Sequence, residues 1–474
     1  MKLNFDNQYA LLGDNFVSLM PPRPLPNPRM VSINPLGAEL IGLTPADISS
    51  ETALNFFSGA EMIAGANPLA MVYAGHQFGG YSPRLGDGRG LLLGQVRNAK
   101  NILWDIHLKG AGPTPFCRGA DGRAVLRSSI REYLASEALH HLGIPTSRAL
   151  CLIHSDEPVR REKMETAAGL IRLSQTHIRF GTFEYFCHTE QHDELKRLAD
   201  YVLEIHYPEF RGEENPYDQM LLEISGRTAE MIAHWQAFGF AHGVMNTDNM
   251  SILGQTFDYG PYGFMDIFDP GYICNHSDDQ GRYAFNQQPN IGMWNCLALA
   301  HGLKPLIQPD TIDQMKSHYQ TRFFACYDRL MSGKLGLENP QEGDRDLVDG
   351  LLTLLAEQAI DYTLFFRGLS ENIPAPEANN SAFKDWYQAY DKRLELENIT
   401  PEQRRINMLT RNPKYILRNY LAQTAIEQAE QGDFSEVDRL MTLLRYPFND
   451  QPDFDHYADS PPEWGRHMEI SCSS

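Results

Sequence analysis

The spacing of apolar residues changes once along this chain, near residue 195, and that change decides the fold class. Before it, short apolar runs between turns predict strands at 90–97, 102–109, 148–154 and near 168–173. After it, the helical period dominates, at 195–206, 217–241, 291–302, 311–332, 345–367, 382–396 and 414–431. We therefore expect an α+β chain with a small β-rich half followed by a large helical half.

The same pattern predicts how the 474 residues are divided. Residues 1–70, rich in Pro and Asn, read as an irregular wrapping segment with one short helix near 45–57. Residues 71–180 form the β-rich lobe, which includes a helix at about 128–142, and residues 181–474 form the helical lobe with a surface loop at 369–380. This order is typical of a protein-kinase-like bilobal fold.

Charge and composition exclude several classes of function. The formal charge of −20 argues against broad contact with nucleic acid or an anionic membrane, both of which need a basic surface. The first residues lack the apolar core of a signal peptide and no run is long enough for a membrane span, so we expect a cytoplasmic protein. Seven scattered cysteines without a C-x-x-C pair exclude a zinc ribbon.

A glycine-rich turn precedes the strand at 90–97. Gly86 and Gly88 in Leu-Gly-Asp-Gly-Arg-Gly would let backbone N–H groups approach phosphate oxygens, and Arg89 adds a bidentate donor. A simple hairpin turn would use the same residues.

Lys109 ends the alternating strand about twenty residues after the glycines, where a lysine can neutralise phosphate charge. Glu132, on the next helix, is the carboxylate that could hold it. Ser129 and Glu132 also form an S-x-x-E pattern, which in other chains is only a helix cap.

Two arginines follow, Arg172 and Arg179. If the segment is helical, their seven-residue spacing puts both guanidinium groups on one face, where they could clamp a polyphosphate. The alternative is a solvated basic face.

The most specific stretch is HGVMNTDNMSILGQTFDYG, residues 242–260. His242-Gly243, Asn249 and Asp258 have the order of a kinase catalytic loop, and Asn249 and Asp258, on either side of a short predicted strand at 251–253, could both bind one Mg²⁺. The position of the kinase base is Val244, which cannot accept a proton. Asp248 is the nearest carboxylate; Asp266 and Asp269 lie further along.

Together these motifs resemble the selenoprotein O (YdiU) family over essentially the whole chain. The resemblance implies a kinase-like fold that transfers AMP, or UMP, from ATP or UTP to Ser, Thr or Tyr hydroxyls, with Mg²⁺ or Mn²⁺. The acceptors it implies are other proteins and, by self-modification, this chain. Carried onto this sequence, it implies nucleotide binding by Gly86, Gly88, Arg89, Lys109, Asp121, Gly122, Arg172, Arg179 and Asp258.

The resemblance also implies that Glu132 holds Lys109, that Asn249 and Asp258 bind the metal, and that Asp248 accepts the proton. The family's selenocysteine position is Cys472 here, and a redox disulfide between Cys472 and Cys274 is implied. Two other functions stay open: a phosphotransferase that uses the γ-phosphate, and a nucleotide-binding pseudokinase without activity.

Overall fold

The computed structural model describes residues 1–373, 381–466 and 468, and it combines an antiparallel sheet with many helices. The strands are β1 Val17–Leu19, β2 Arg29–Ile33, β3 Leu69–Met71, β4 Gly75–Gln77, β5 Gly80–Ser82, β6 Gly90–Arg97, β7 Leu103–Lys109, β8 Ala124–Val125, β9 Arg148–Arg160, β10 Met164–Ser174, β11 Phe240–Ala241 and β12 Gly263–Phe264.

The helices fill the rest of the described chain. They are α1 Pro35–Leu40, α2 Pro45–Ile48, α3 Glu51–Phe57, α4 Leu126–His141, α5 Phe180–His188, α6 His192–His206, α7 Pro216–Phe238, α8 Gln288–Gly302, α9 Thr311–Lys334, α10 Asp344–Glu357, α11 Tyr362–Ser370, α12 Ser381–Leu394, α13 Pro401–Leu409, α14 Asn419–Glu430 and α15 Ser435–Leu443.

The main sheet has the order β1-β3-β6-β7-β10-β9-β2, and β8 pairs with β10. Its neighbouring strands are antiparallel, and Lys109 at the end of β7 lies opposite Gly90 on one side and Leu170 on the other. Arg172 of β10 lies opposite His107 of β7. The register therefore brings the glycine turn, the lysine and one predicted arginine to the same end of the sheet.

Each face of the sheet is buried against a different layer, as the alternation of strand residues requires. Leu91 and Leu93 of β6 pack in a core with Phe56 and Phe57 of α3, so the N-terminal segment covers one face. Leu92 points to the other core, which includes α4 and the helical half. Within the described residues, no helix is long and apolar enough to cross a membrane.

Several local expectations were wrong. The helix expected at 345–367 is two helices, α10 and α11, separated near Ala359, whose φ of 52° a helix cannot accommodate. Residues 251–253 are not a strand: Ser251 makes one isolated bridge to Arg179 and a turn follows. Helices α1, α5, α13 and α15 were not predicted from the apolar spacing. The segment 1–70, expected to be irregular apart from one short helix, contributes β1 and β2 to the main sheet.

Candidate active site

A cavity of about 620 Å³ opens where the sheet meets the helical half. Its lining includes eleven of the residues selected from the sequence: Gly86, Gly88, Arg89, Lys109, Asp121, Gly122, Arg172, Arg179, Asp248, Asn249 and Asp258. Val244 lies in the wall as well. Asp266 does not line the cavity but forms an ion pair with Arg418, so it is a poor candidate for the base.

Behind the lining, Glu132 forms a buried ion pair with Lys109. Its other oxygen accepts from Arg172 Nη1 at 3.3 Å. The alternative role of Glu132 as a helix cap is wrong, because α4 begins at Leu126 with Val125 as its N-cap, and Ser129 lies inside the helix. Burial lowers the pKa of Lys109, and the Glu132 carboxylate opposes that effect.

Asp258 lies at the point where Arg172 and Arg179 meet, each donating to a different carboxylate oxygen. The expected helix is wrong: Arg172 is on β10, and Arg179 is the N-cap residue of α5. The strand and the helix start converge because the chain turns between them at residues 175–178. The guanidinium of Arg179 is also stacked near Tyr73 and Phe257, at 4.5 and 4.8 Å from the ring centres.

The electrostatics of this junction are those of a strongly charged cluster. Burial alone would raise the pKa of Asp258, but Arg179, Arg172 and Lys109 hold it well below its ordinary value. Burial would lower the pKa of Arg179, and the Asp258 carboxylate raises it instead. Asp258 also has a φ of 58°, a conformation that is rare for a residue other than glycine and recurs at functional sites.

Asp248 lies on the 3₁₀ turn Thr247–Asn249 and lines the cavity near Asp258, because Arg179 Nη1 donates to both residues. Arg179 Nη1 donates to the backbone oxygen of Asp248 at 2.6 Å, and Gln77 Nε2 donates to its Oδ2 at 3.2 Å. Its Oδ1 is buried and has no hydrogen-bond partner among the described residues. Burial raises the pKa of Asp248 to about 6, although Arg179 acts in the opposite direction.

Asn249 and Asp258 have the donor set for a divalent cation that also binds phosphate. Asn249 Nδ2 donates to Val244 O at 3.0 Å, which turns the amide oxygen away from that carbonyl. A carboxylate has about four lone-pair sites, so Asp258 can accept from two arginines and still bind a cation. The described residues contain no cluster of three His, Cys, Asp or Glu side chains suited to a metal. These two residues therefore fit Mg²⁺ or Mn²⁺ if phosphate oxygens and water supply the other ligands.

The glycine turn and the loop at 119–123 form the far wall. A side chain at Gly86 would meet the Phe116 ring at 2.4 Å, and one at Gly122 would meet the Gly112 backbone at 2.1 Å. Asp121 does not point a free carboxylate at the cavity, because both of its oxygens accept from Arg161, at 2.7 and 3.1 Å.

Of the two cysteines selected for redox control, Cys274 lies within the described residues and Cys472 does not. Cys274 is buried, and its Sγ lies close to Gly243 and 3.5 Å from Ala241 O. Cys472 lies outside the described residues, so the disulfide stays a prediction.

Sequence reasoning missed several cavity residues. His107 precedes Lys109 by two residues on β7, so the strand alternation puts both on one face, a signal that could have found it. Its Nδ1 is 3.1 Å from Arg172 Nη2. Burial and that arginine lower the pKa of His107 to about 3. Asp87 lies inside the glycine motif itself, 3.8 Å from Arg179 Nη2. Gln77, Arg118 and Arg161 carry no motif that would have selected them.

Counted over the described lining residues, seven arginine and lysine side chains face four aspartates. In a chain whose formal charge is −20, this local excess of cations is the chemistry expected of a protein that binds a polyanion such as a polyphosphate.

Comparison with known proteins agrees with that class. Residues 1–445 match the family described as Protein adenylyltransferase SelO, and the chain belongs to this SelO/YdiU family. It is 50% identical to Protein nucleotidyltransferase YdiU of Myxococcus xanthus and 53% identical to that of Pseudomonas fluorescens Pf0-1. Both matches cover 100% of this chain and 99% of the relative. Membership makes the chain a nucleotidyltransferase that uses a nucleotide donor.

Proposed function

We propose that this chain transfers AMP or UMP from ATP or UTP to Ser, Thr or Tyr hydroxyls of proteins and releases pyrophosphate. One observation carries the proposal: Arg172 and Arg179 meet at Asp258 in the cavity that Asp248 also lines. A γ-phosphoryl transfer needs few donors beyond a loop, a lysine and a metal. Expelling pyrophosphate leaves more charge to stabilise, and two buried arginines supply that stabilisation.

In this proposal the nucleotide lies between the glycine turn and the Asp258 junction. The backbone N–H groups at Gly88 and Gly122 approach the phosphates, which bind the cations Arg89, Lys109, Arg172 and Arg179. Gly86 shapes the turn beside them, because its own N–H donates to Tyr73 O at 3.0 Å. Glu132 fixes the Lys109 ammonium. Asp121 acts by orienting Arg161 toward the cavity, since its carboxylate is already bound to that guanidinium.

The chemical step needs one proton acceptor. The acceptor hydroxyl gives its proton to Asp248 Oδ2, and its oxygen forms a bond to the α-phosphorus. The bond from that phosphorus to the oxygen that bridges it to the β-phosphate breaks, and pyrophosphate leaves with the electron pair, held by Arg172 and Arg179. Mg²⁺ or Mn²⁺ bound by Asn249 and Asp258 would supply charge neutralisation at the phosphates.

The architecture supports a further part of the proposal. The sheet half and the helical half meet at the cavity, as the two lobes of a kinase-like fold do, with lobes at 71–180 and 181–474. The segment 1–70 adds β1 and β2 to the sheet and covers one of its faces. We place the protein in the cytoplasm, with proteins as its acceptors.

Two other functions compete with this one, a phosphotransferase and a silent pseudokinase. Incubation with ATP labelled with ³²P at the α- or γ-position separates all three. Our proposal expects label on protein from the α-labelled nucleotide only, and its loss in Asp248→Ala. Label from the γ-position alone supports the phosphotransferase, and no label from either, with nucleotide bound, supports the pseudokinase.

A further inference from the structure

Three consecutive residues of the turn that carries Asp248 are bound by one β-hairpin, formed by β4 and β5 and called here the 75–82 hairpin. The three hydrogen bonds run from the hairpin to the turn: His76 N to Thr247 Oγ1 at 2.7 Å, Gln77 Nε2 to Asp248 Oδ2 at 3.2 Å, and Phe78 N to Asn246 Oδ1 at 3.2 Å. The hairpin is therefore bound to the turn residue by residue.

The base of the hairpin is itself anchored. His76 is hydrogen-bonded to the buried Glu184 carboxylate of α5, and the His76 ring lies 5.3 Å from that of Trp294 on α8. Ala74 N donates to Gly181 O at 3.0 Å. The partners in these contacts belong to the packed helices α5 and α8. The hairpin can therefore hold the turn in one position.

The consequence falls on the carboxylate of Asp248. Arg179 fixes its backbone oxygen, and Gln77 donates to its Oδ2. Oδ1 is buried and has no hydrogen-bond partner among the described residues, so an acceptor hydroxyl that enters the cavity meets Oδ2. Because a carboxylate oxygen has two lone pairs, Oδ2 can accept from Gln77 and from the hydroxyl. A Cβ added at Gly75 would lie 3.0 Å from the same Oδ1, so the hairpin also limits how the carboxylate can rotate.

We propose that Gln77 is a positioning residue that orients the Asp248 carboxylate, so that Oδ2 takes the proton of the acceptor hydroxyl. This inference rests on the proposed function, in which Asp248 is the proton acceptor. Gln77 acts through Asp248, so its removal should slow the chemical step and leave nucleotide binding nearly unchanged.

The test compares Gln77→Met, which keeps the length of the side chain and removes the donor, with Gln77→Glu, which replaces the donor by a second carboxylate. Ser82→Ala, on the other strand of the same hairpin and outside the cavity lining, is the matched control. The assay follows label from α-³²P-ATP into the protein itself and a Ser/Thr/Tyr peptide library, with kcat and KM for ATP measured separately.

General base catalysis raises a reaction rate by roughly 10²–10⁴-fold, and a misplaced base loses part of that gain. We therefore expect kcat to fall by about 10-fold in Gln77→Met and further in Gln77→Glu. KM for ATP should stay within about twofold, and Ser82→Ala should match the wild type. Gly75→Ala, which crowds Oδ1 without touching Gln77, should lower kcat in the same way.

A double-mutant cycle separates positioning from a merely structural role. In an Asp248→Ala background, Gln77→Met should cause no further loss, because the group on which it acts is gone. An unchanged kcat in Gln77→Met, or an equal further loss in the Asp248→Ala background, would overturn this inference alone. Full activity of Asp248→Ala would overturn the assignment of the base and this inference with it.

Discussion

Replacing Asp258 by Asn should have opposite effects on folding and on anion binding. The carboxylate receives one charge-assisted hydrogen bond each from Arg172 and Arg179, and such bonds contribute about 1.5–3 kcal/mol apiece. Its side chain is 19% exposed and borders the cavity, so water replaces part of what is lost. We expect the free energy of unfolding to fall by ~3 kcal/mol, near the low end for breaking a buried ion pair.

The pH dependence of this loss follows from the depressed pKa of Asp258. A carboxylate whose pKa is lower in the folded state contributes stability above its unfolded pKa, about 3.9, and loses it as the pH falls toward the folded value. The difference between wild type and Asp258→Asn should therefore be constant from neutral pH down to about pH 5 and close only in stronger acid. Urea unfolding at several pH values measures it.

Anion binding should change in the other direction. In wild type, metal-free pyrophosphate must compete with Asp258 for two arginines, whereas in Asp258→Asn both guanidinium groups are available. Calorimetry in EDTA should show pyrophosphate binding at least about tenfold more tightly to the variant, a gain of ~1.4 kcal/mol.

Asp266→Asn is the control, because Asp266 also pairs with an arginine, Arg418, but lies outside the cavity lining. It should lower stability and leave pyrophosphate affinity unchanged. Equal stability of Asp258→Asn and wild type, or weaker pyrophosphate binding to the variant, would refute the charge argument.

Two further predictions concern stability alone. Burial lowers the pKa of Lys334 to about 7, while the Phe366 ring, whose centre is 4.4 Å away, favours the charged form. Because the pKa in the unfolded chain is ~10.4, the free energy of unfolding should rise with pH between about 7 and ~10.4. Lys334→Met should raise the free energy of unfolding by ~2 kcal/mol near pH 6 and lose most of that gain near pH 10, and a gain independent of pH would contradict the prediction. Gly243→Ala should destabilise by ~3 kcal/mol, since its φ is 78° and the new Cβ would lie 2.6 Å from Cys274 Sγ. Gly143 also has a positive φ, 80°, but open space around it, so Gly143→Ala should lower the free energy of unfolding by only ~1 kcal/mol. Thermal or urea unfolding measures both variants, and equal losses would show that the contact with Cys274 has no effect.

Four strands, β6, β7, β9 and β10, could be predicted because they depend on local patterns. The same holds for the buried pair of Lys109 and Glu132. The alternation in 102–109 put Lys109 on the opposite face from Ile106 and Leu108. In the structure, Ile106 and Leu108 lie in a hydrophobic core that Lys109 does not join. Chain order alone then selected Glu132 on the next helix. Both inferences needed only neighbours in sequence and the period of a strand.

The convergence of Arg172 and Arg179 was right in its result and wrong in its reason. Their seven-residue spacing fits one helix face, but tertiary pairing of β10 with β7 makes the first part a strand. Gln77 could not be found at all, since its contact with Asp248 joins residues 171 positions apart and depends on a hairpin with no motif of its own. Sequence patterns report local periods; contacts of this range depend on the packed fold.

The central claim is that the α-phosphate, with its nucleoside, reaches a hydroxyl on protein. Mass spectrometry of this chain and a peptide acceptor after incubation with ATP and Mg²⁺ tests it most directly, with Asp248→Ala alongside. We predict the mass of a nucleoside monophosphate on a Ser, Thr or Tyr, pyrophosphate in solution, and at least about 10²-fold less of both products with Asp248→Ala. A phosphoryl group on the acceptor, with ADP in solution, would contradict the claim.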